Sequence, residues 1–231
     1  MFFISRLPEW LGGKISHVMY LFLGRVLARF CFKGIGRLEV IRSELLPHAG
    51  PYIIVANHLS FNDSIALVAS IPHRLHFISK KDYTKIPFLD GIIGLTLGAV
   101  GIYTYDRQGI GGDALRQIKK WLEQGHAVVM FPEGTRSKAH TMQEGKAGAV
   151  LLAISANIAI VPIGICGTEK FPTWPMIFPF RRRMRLKIGK HFTLQKIEEE
   201  ITAKEERKLL IDTVMLQIAE QLPEKYRGVY S

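Results

Sequence analysis

From residue 38 onward the apolar positions fall into short runs, and successive runs alternate between two periods. Leu38–Arg42, Tyr52–Ala56, Leu75–Ser79, Ala99–Tyr105, Ala127–Phe131 and Ile158–Ile165 are rich in Ile and Val and read as strands. Asp63–Ser70, Gly112–Gln124 and Gly145–Asn157 carry helical patterns between them. A further strand at Met184–Ile188 follows the proline-rich loop Phe171–Phe180. Ile197 to Leu222 then reads as a charged amphipathic helix broken around Ile201-Thr202. Strand and helix alternate at the spacing of βαβ units. This predicts an α/β fold, a mixed and largely parallel sheet flanked by helices. The run Tyr52-Ile53-Ile54-Val55-Ala56 is apolar throughout, as a strand buried on both faces should be.

The first 36 residues pattern differently. Ile15 to Phe32 is largely apolar, yet Arg25 and Arg29 interrupt it, and each arginine at a bilayer centre would cost about 2.5–3.5 kcal/mol. That argues against a spanning helix. At helical spacing Lys14, His17, Arg25 and Arg29 share one face, with Val18, Met19, Phe22, Val26 and Phe30 largely opposite and Leu21 interrupting the polar stripe. Two readings stay open: a helix lying in the membrane interface, or a core-packing helix with a solvated basic face. The first is the expectation here. It divides the chain into an N-terminal amphipathic membrane-interface segment, 1–36, and a main domain, 37–231.

Composition narrows the partners. The 231 residues are 48% hydrophobic and carry a formal net charge of +11, so a folded core and an anionic partner are both implied. No stacking-aromatic module accompanies the charge, and nucleic-acid binding is set aside in favour of an anionic membrane surface or a phosphorylated small molecule. The basic run Arg181-Arg182-Arg183-Met184-Arg185 suits the membrane reading. Cys31 and Cys166 stand far apart, which suggests no disulfide framework and no metal-ligand spacing.

Candidate chemistry sits where strands end, the edge at which parallel sheets bind substrates. Asn57-His58-Leu59-Ser60-Phe61-Asn62-Asp63 follows the buried strand at once. On one continuous helix His58 and Asp63 would lie about 140° apart. They meet only if His58 stands in the turn before the helix and Asp63 in its first turn. A carboxylate holding an imidazole makes a general base, and the rival reading is a strand-end histidine beside a helix-capping aspartate. Phe131-Pro132-Glu133-Gly134-Thr135-Arg136-Ser137 ends a second strand, offering a glycine for close anion approach, hydroxyl donors and a guanidinium fork. Glu133 fits beside a phosphate only if it bonds Arg136 or a substrate hydroxyl. Gly101-Ile102-Tyr103-Thr104-Tyr105-Asp106-Arg107 ends a third strand, where Arg107 is a second fork or an ordinary surface arginine.

Taken together these clusters resemble the glycerolipid acyltransferase family, which includes the lysophosphatidic acid acyltransferases. The blocks that match are Asn57-His58-x4-Asp63, Gly101-x5-Arg107, Phe131 to Ser137 throughout, and the apolar Ile160-Val161-Pro162-Ile163; Lys80 and Lys146-Ala147-Gly148 also look like family positions. The likeness spans about residues 38 to 170. It implies transfer of an acyl group from a thioester, acyl-CoA or acyl carrier protein, to the sn-2 hydroxyl of 1-acylglycerol 3-phosphate, with no other cofactor and no metal. It implies His58 and Asp63 as the catalytic pair. Arg107, Lys80, Gly134, Thr135 and Arg136 would hold the acceptor phosphate, and Glu133 would order that site or bond the glycerol. The expected location is the cytoplasmic face of the inner membrane, peripheral or monotopic. Alternatives are a family member acting on another lysolipid, such as a lyso-ornithine lipid, and a non-catalytic anionic-lipid-binding protein.

Overall fold

The computed structural model describes residue 26 and residues 37–80, 102–105, 112–170, 183–195 and 202–231. The expected N-terminal interface helix, Gly101 and Arg107 of the third cluster, the 171–180 loop and the first two arginines of the basic run lie outside the described residues.

Strands β1 (Arg37–Ile41), β2 (Tyr52–Ala56), β3 (Leu75–Lys80), β4 (Ile102–Tyr105), β5 (Ala127–Met130), β6 (Ala159–Cys166) and β7 (Arg183–Ile188) form one sheet in the order β1-β7-β6-β2-β5-β3-β4. Every neighbouring pair is parallel except β6 with β7. The helices are α1 (Asn62–Ser70), α2 (Gly112–Glu123), α3 (Gly148–Ala156) and α4 (Ala203–Ala219). The mixed, largely parallel α/β sheet is the one the sequence predicts.

Strand β2 shows why an unbroken apolar run was needed. Tyr52, Ile54 and Ala56 pack with Ala66 and Leu67 of α1 on one face. Ile53 and Val55 pack on the other with Ile118 of α2, Val150 of α3 and Val214 of α4. Strand β7 has company on one side: Met184, Leu186 and Ile188 are buried in the α1-side core, whereas Arg183 and Arg185 face outward and exposed. No helix among the described residues is long and apolar enough to cross a membrane.

The topology makes a crevice at the sheet's carboxyl edge. The chain leaves β2 through α1 and steps over β5 to β3; it leaves β5 through α3 and steps over β2 to β6. Crossovers of one hand that travel in opposite directions must lie on opposite faces, as the two cores confirm. The exits therefore part between the ends of β2 and β5, which is where an open parallel sheet receives its substrate.

Pro162 stands inside β6, a strand paired on both sides, although proline removes a ladder donor. The flanking pairs are Ile163 with Ile188 and Ile160 with Phe192, with two residues between them on one strand and three on the other. The extra residue makes a bulge opposite Pro162. Its carbonyl still accepts from Gly189 N at 2.8 Å, so the proline falls where the ladder is already interrupted.

One helix start differs from the sequence pattern, and another falls at the break it predicts. Helix α3 begins at Gly148 and not at Gly145, because the amides of Gly145 and Lys146 are bonded to Tyr230 Oη and to the Pro132 carbonyl. Helix α4 begins after Thr202, whose hydroxyl caps Glu205 N while the Glu205 carboxylate takes Thr202 N, a reciprocal capping box.

A buried histidine in β3 gives the fold a pH dependence. His76 is 6% exposed, with Trp121 and His126 rings 4.5 and 4.8 Å away. Burial first, then the charges of His126 and Arg74, lower its pKa from 6.5 to about 3. The unfolded chain takes up this proton near the ordinary value while the folded chain does not. Stability is therefore full above about pH 6.5 and erodes as the pH falls toward 3. By pH 5 the loss from this residue is expected to approach about 2 kcal/mol. Urea midpoints at pH 7.5 and 5 check this, with His76→Phe flattening the difference; an equal slope in both proteins would remove the assignment.

Candidate active site

Asn57 begins the site by holding the strand end in place. Its fully buried amide donates to the Ile165 carbonyl at 2.8 Å and accepts from Ile165 N at 2.7 Å, continuing the β2–β6 ladder through a side chain. The chain is then free to turn away. In that turn Ser60 Oγ accepts from Asn62 N, the Ser60 carbonyl accepts from Asp63 N, and α1 starts.

Asp63 enters in the first turn of α1 and reaches back. Its Oδ2 accepts from Leu59 N at 2.7 Å, Ser60 N at 2.8 Å and His58 Nδ1 at 2.8 Å. Its Oδ1 accepts the hydroxyl of Thr168, just past β6. The helix N-terminus favours a negative charge here. Backbone amides can only donate, so the carboxylate serves as acceptor throughout, and the proton of the His58 contact belongs to Nδ1. Nε2 is left as the basic nitrogen, and no hydrogen bond to it occurs among the described residues. Asp63 is fully buried, whereas the His58 side chain is 16% exposed, so the pair opens toward solvent at the imidazole end.

The loop after β5 holds the other side of His58. The Phe131 ring stacks on the imidazole, centroids 3.9 Å apart and planes 11° from parallel. Glu133 Oε1 accepts from His58 N at 2.9 Å, and Ser137 N donates to the His58 carbonyl at 2.8 Å. The histidine backbone is thus fixed at both its polar groups by one loop. Glu133 is 2% exposed, and its Oε2 accepts from both Gln143 N and Gln143 Nε2. Burial raises its pKa, opposed by the His58 and Gln143 hydrogen bonds. Of the two roles expected for Glu133, the geometry favours ordering the site over bonding a glycerol. Ser137, expected among the hydroxyls offered to an anion, is buried and accepts Thr141 N instead.

Between those anchors, Gly134, Thr135 and Arg136 are exposed. Gly134 has φ +72°, and a Cβ there would come within 2.8 Å of Lys146 Nζ, so the lysine side chain lies across the glycine. Lys80 is the last residue of β3, and Arg107 lies outside the described residues. The structure therefore joins the first and second clusters through backbone bonds. It also adds Thr168 and Gln143, which the sequence pattern missed. Thr168 does follow the carboxyl end of a strand, a usable signal; Gln143 offers none.

Comparison with known proteins bears on the family and the fold. The family model described as Acyltransferase matches residues 37–166, more than half of the chain. A chloroplastic 1-acyl-sn-glycerol-3-phosphate acyltransferase of Arabidopsis thaliana is 32% identical over 152 residues, covering 64% of this chain and 41% of that protein. The 1-acyl-sn-glycerol-3-phosphate acyltransferase of Borreliella burgdorferi is 26% identical over 164 residues, covering 68% and 64%. The matched stretch thus spans about half the length of these relatives. The crystal structure of the 1-acyl-sn-glycerophosphate acyltransferase PlsC of Thermotoga maritima shares the fold, with a TM-score of 0.65 and 23% identity over 95% of this chain and 85% of that one. On the strength of the family model and its span, the chain belongs to the acyltransferase family.

Proposed function

We propose that this protein is an O-acyltransferase that moves a fatty acyl group from a thioester to the sn-2 hydroxyl of 1-acylglycerol 3-phosphate, giving phosphatidic acid. The observation that carries the reading is the His58–Asp63 pair: Nδ1 is committed to the carboxylate, and among the described residues no nucleophilic side chain is hydrogen-bonded to Nε2. The hydroxyl to be activated therefore comes with the acceptor. As that oxygen bonds to the thioester carbonyl carbon, its proton passes to Nε2. The tetrahedral adduct then collapses, the carbon–sulfur bond breaks, and the imidazolium returns the proton to the departing thiolate. No acyl-enzyme forms. Holding both reactants together supplies much of the acceleration, and the base adds about 10²–10⁴.

The acceptor phosphate is assigned to Arg136 with the Gly134 backbone, aided by Lys80 and Arg107. The donor is acyl-CoA or acyl carrier protein. The +11 charge suits work at an anionic membrane surface on its cytoplasmic face.

The test uses one labelled acyl thioester and a panel of acceptors: 1-acylglycerol 3-phosphate, lysolipids with other headgroups, and a lyso-ornithine lipid. Preference for 1-acylglycerol 3-phosphate is expected; preference for the lyso-ornithine lipid would move the protein to another branch of its family. Arg136→Ala should raise KM for the phosphate acceptor by about tenfold or more, the loss of one charge-assisted fork. Unchanged KM and kcat would take Arg136 out of the phosphate site.

A further inference from the structure

The two supports of the catalytic pair, followed outward, arrive at one residue. Asp63 Oδ1 is held by the Thr168 hydroxyl, and the next residue, Glu169, accepts from Tyr226 Oη at 2.9 Å. On the other side Glu133, which holds the His58 amide, is itself held by Gln143. The residue before it, Met142, donates its amide to the Tyr226 carbonyl at 2.8 Å. The circuit closes.

We propose that Tyr226 is a positioning residue that completes a ring of hydrogen bonds around His58 and Asp63, bracing Thr168 through Glu169 and Gln143 through Met142. It rests on the reading of His58 as the base of acyl transfer.

The location supports a bracing role. Tyr226 ends the short turn Glu224–Tyr226 beyond α4, well past residue 166, where the family match stops. It is buried in the core shared by α2, α3 and α4, so its hydroxyl and carbonyl have fixed directions. Two more features press the same tail onto the same loop. Gly228 has φ +57°, and a Cβ there would collide with the Met142 carbonyl; Tyr230 Oη accepts from Gly145 N at 3.2 Å. Burial and the nearby Glu169 carboxylate raise the Tyr226 phenol well above its ordinary range, which keeps the hydroxyl a donor. Neither Thr168 nor Gln143 touches Nε2. What they control is the direction in which the imidazole points, and small errors there are costly.

The experiment uses the full chain with ¹⁵N-histidine, as wild type, Tyr226→Phe, Thr168→Val and Thr168→Ser. The first readout is exchange of the His58 Nδ1 proton with water, which needs no activity. Exchange about tenfold faster is expected in the Phe and Val variants, with the serine variant near wild type, since its hydroxyl can again reach Asp63. The second is steady-state kinetics: kcat falling about tenfold in the same two variants, with KM for both substrates within about twofold, marks lost alignment and not lost binding. Wild-type exchange and kcat in Tyr226→Phe would overturn the ring, as would a loss of kcat that matches the unfolded fraction seen by circular dichroism. Faster exchange in the variants of a protein that transfers no acyl group would uphold the ring and sink the acyl-transfer reading.

Discussion

His58→Ala is expected to lower the turnover number by about 10²–10⁴, the usual contribution of a positioned general base. KM for both substrates should change little, because the imidazole meets the acceptor hydroxyl as it reacts and does not anchor either substrate's bulk. The fold should survive. The backbone bonds that tie residue 58 to Glu133 and Ser137 need only its N–H and carbonyl, which alanine keeps. What is lost inside the protein is one of four donors to Asp63 and the stacking of Phe131. Steady-state rates with a labelled thioester, beside a urea curve, check the claim. A variant turning over at a rate near wild type would remove His58 from the chemistry.

Asp63 should separate charge from geometry. In Asp63→Asn the amide oxygen can take the Oδ2 place and keep the His58, Leu59 and Ser60 donors. The amide nitrogen then faces Thr168, whose hydroxyl can turn to accept. The Nδ1 tautomer survives, and the negative charge beside the developing imidazolium does not. At an effective dielectric of about 20 and about 4 Å between charge centres, that is worth about 4 kcal/mol, or about 10³ in kcat. Asp63→Ala differs, since it leaves the Leu59 and Ser60 amides buried without an acceptor, at about 1–3 kcal/mol each. The asparagine variant should therefore be slow yet stable, and the alanine variant slow and several kcal/mol less stable. Urea midpoints and kcat measured on both decide it; an asparagine variant at wild-type speed would show that the carboxylate charge has no catalytic part.

The elements that carry the pair were legible because their signals are local. β2 needed only an apolar run buried on both sides, and the turn to α1 needed only the incompatibility of His58 and Asp63 on one helix. The proline in β6 was visible as part of a motif, but not the bulge that accommodates it, since bulges depend on what Gly189 to Phe192 do across the ladder. The start of α4 falls at the break read around Ile201-Thr202, where Thr202-x-x-Glu205 supplies a capping box. Glu133 was ambiguous for a different reason. A glutamate in a turn reads as surface charge, and only tertiary contact with His58 N and Gln143 shows it to be an internal acceptor. Thr168 and Tyr226 lie over 100 residues from His58 in the chain, so no spacing rule links them to it.

The loop after β5 is tied down at two posts, Glu133 and Ser137, and both ties run to the backbone of His58. The three residues between the posts face solvent. A span of this kind separates inheritance from innovation. On the proposed reading, exchanging Thr135 or Arg136 would alter what the loop presents to a lipid headgroup, while the ties to the His58 backbone come from Glu133 and Ser137. If the acceptor binds there as proposed, a lineage could retune it by changing side chains at the crest of one loop, while the imidazole stays where the posts hold it.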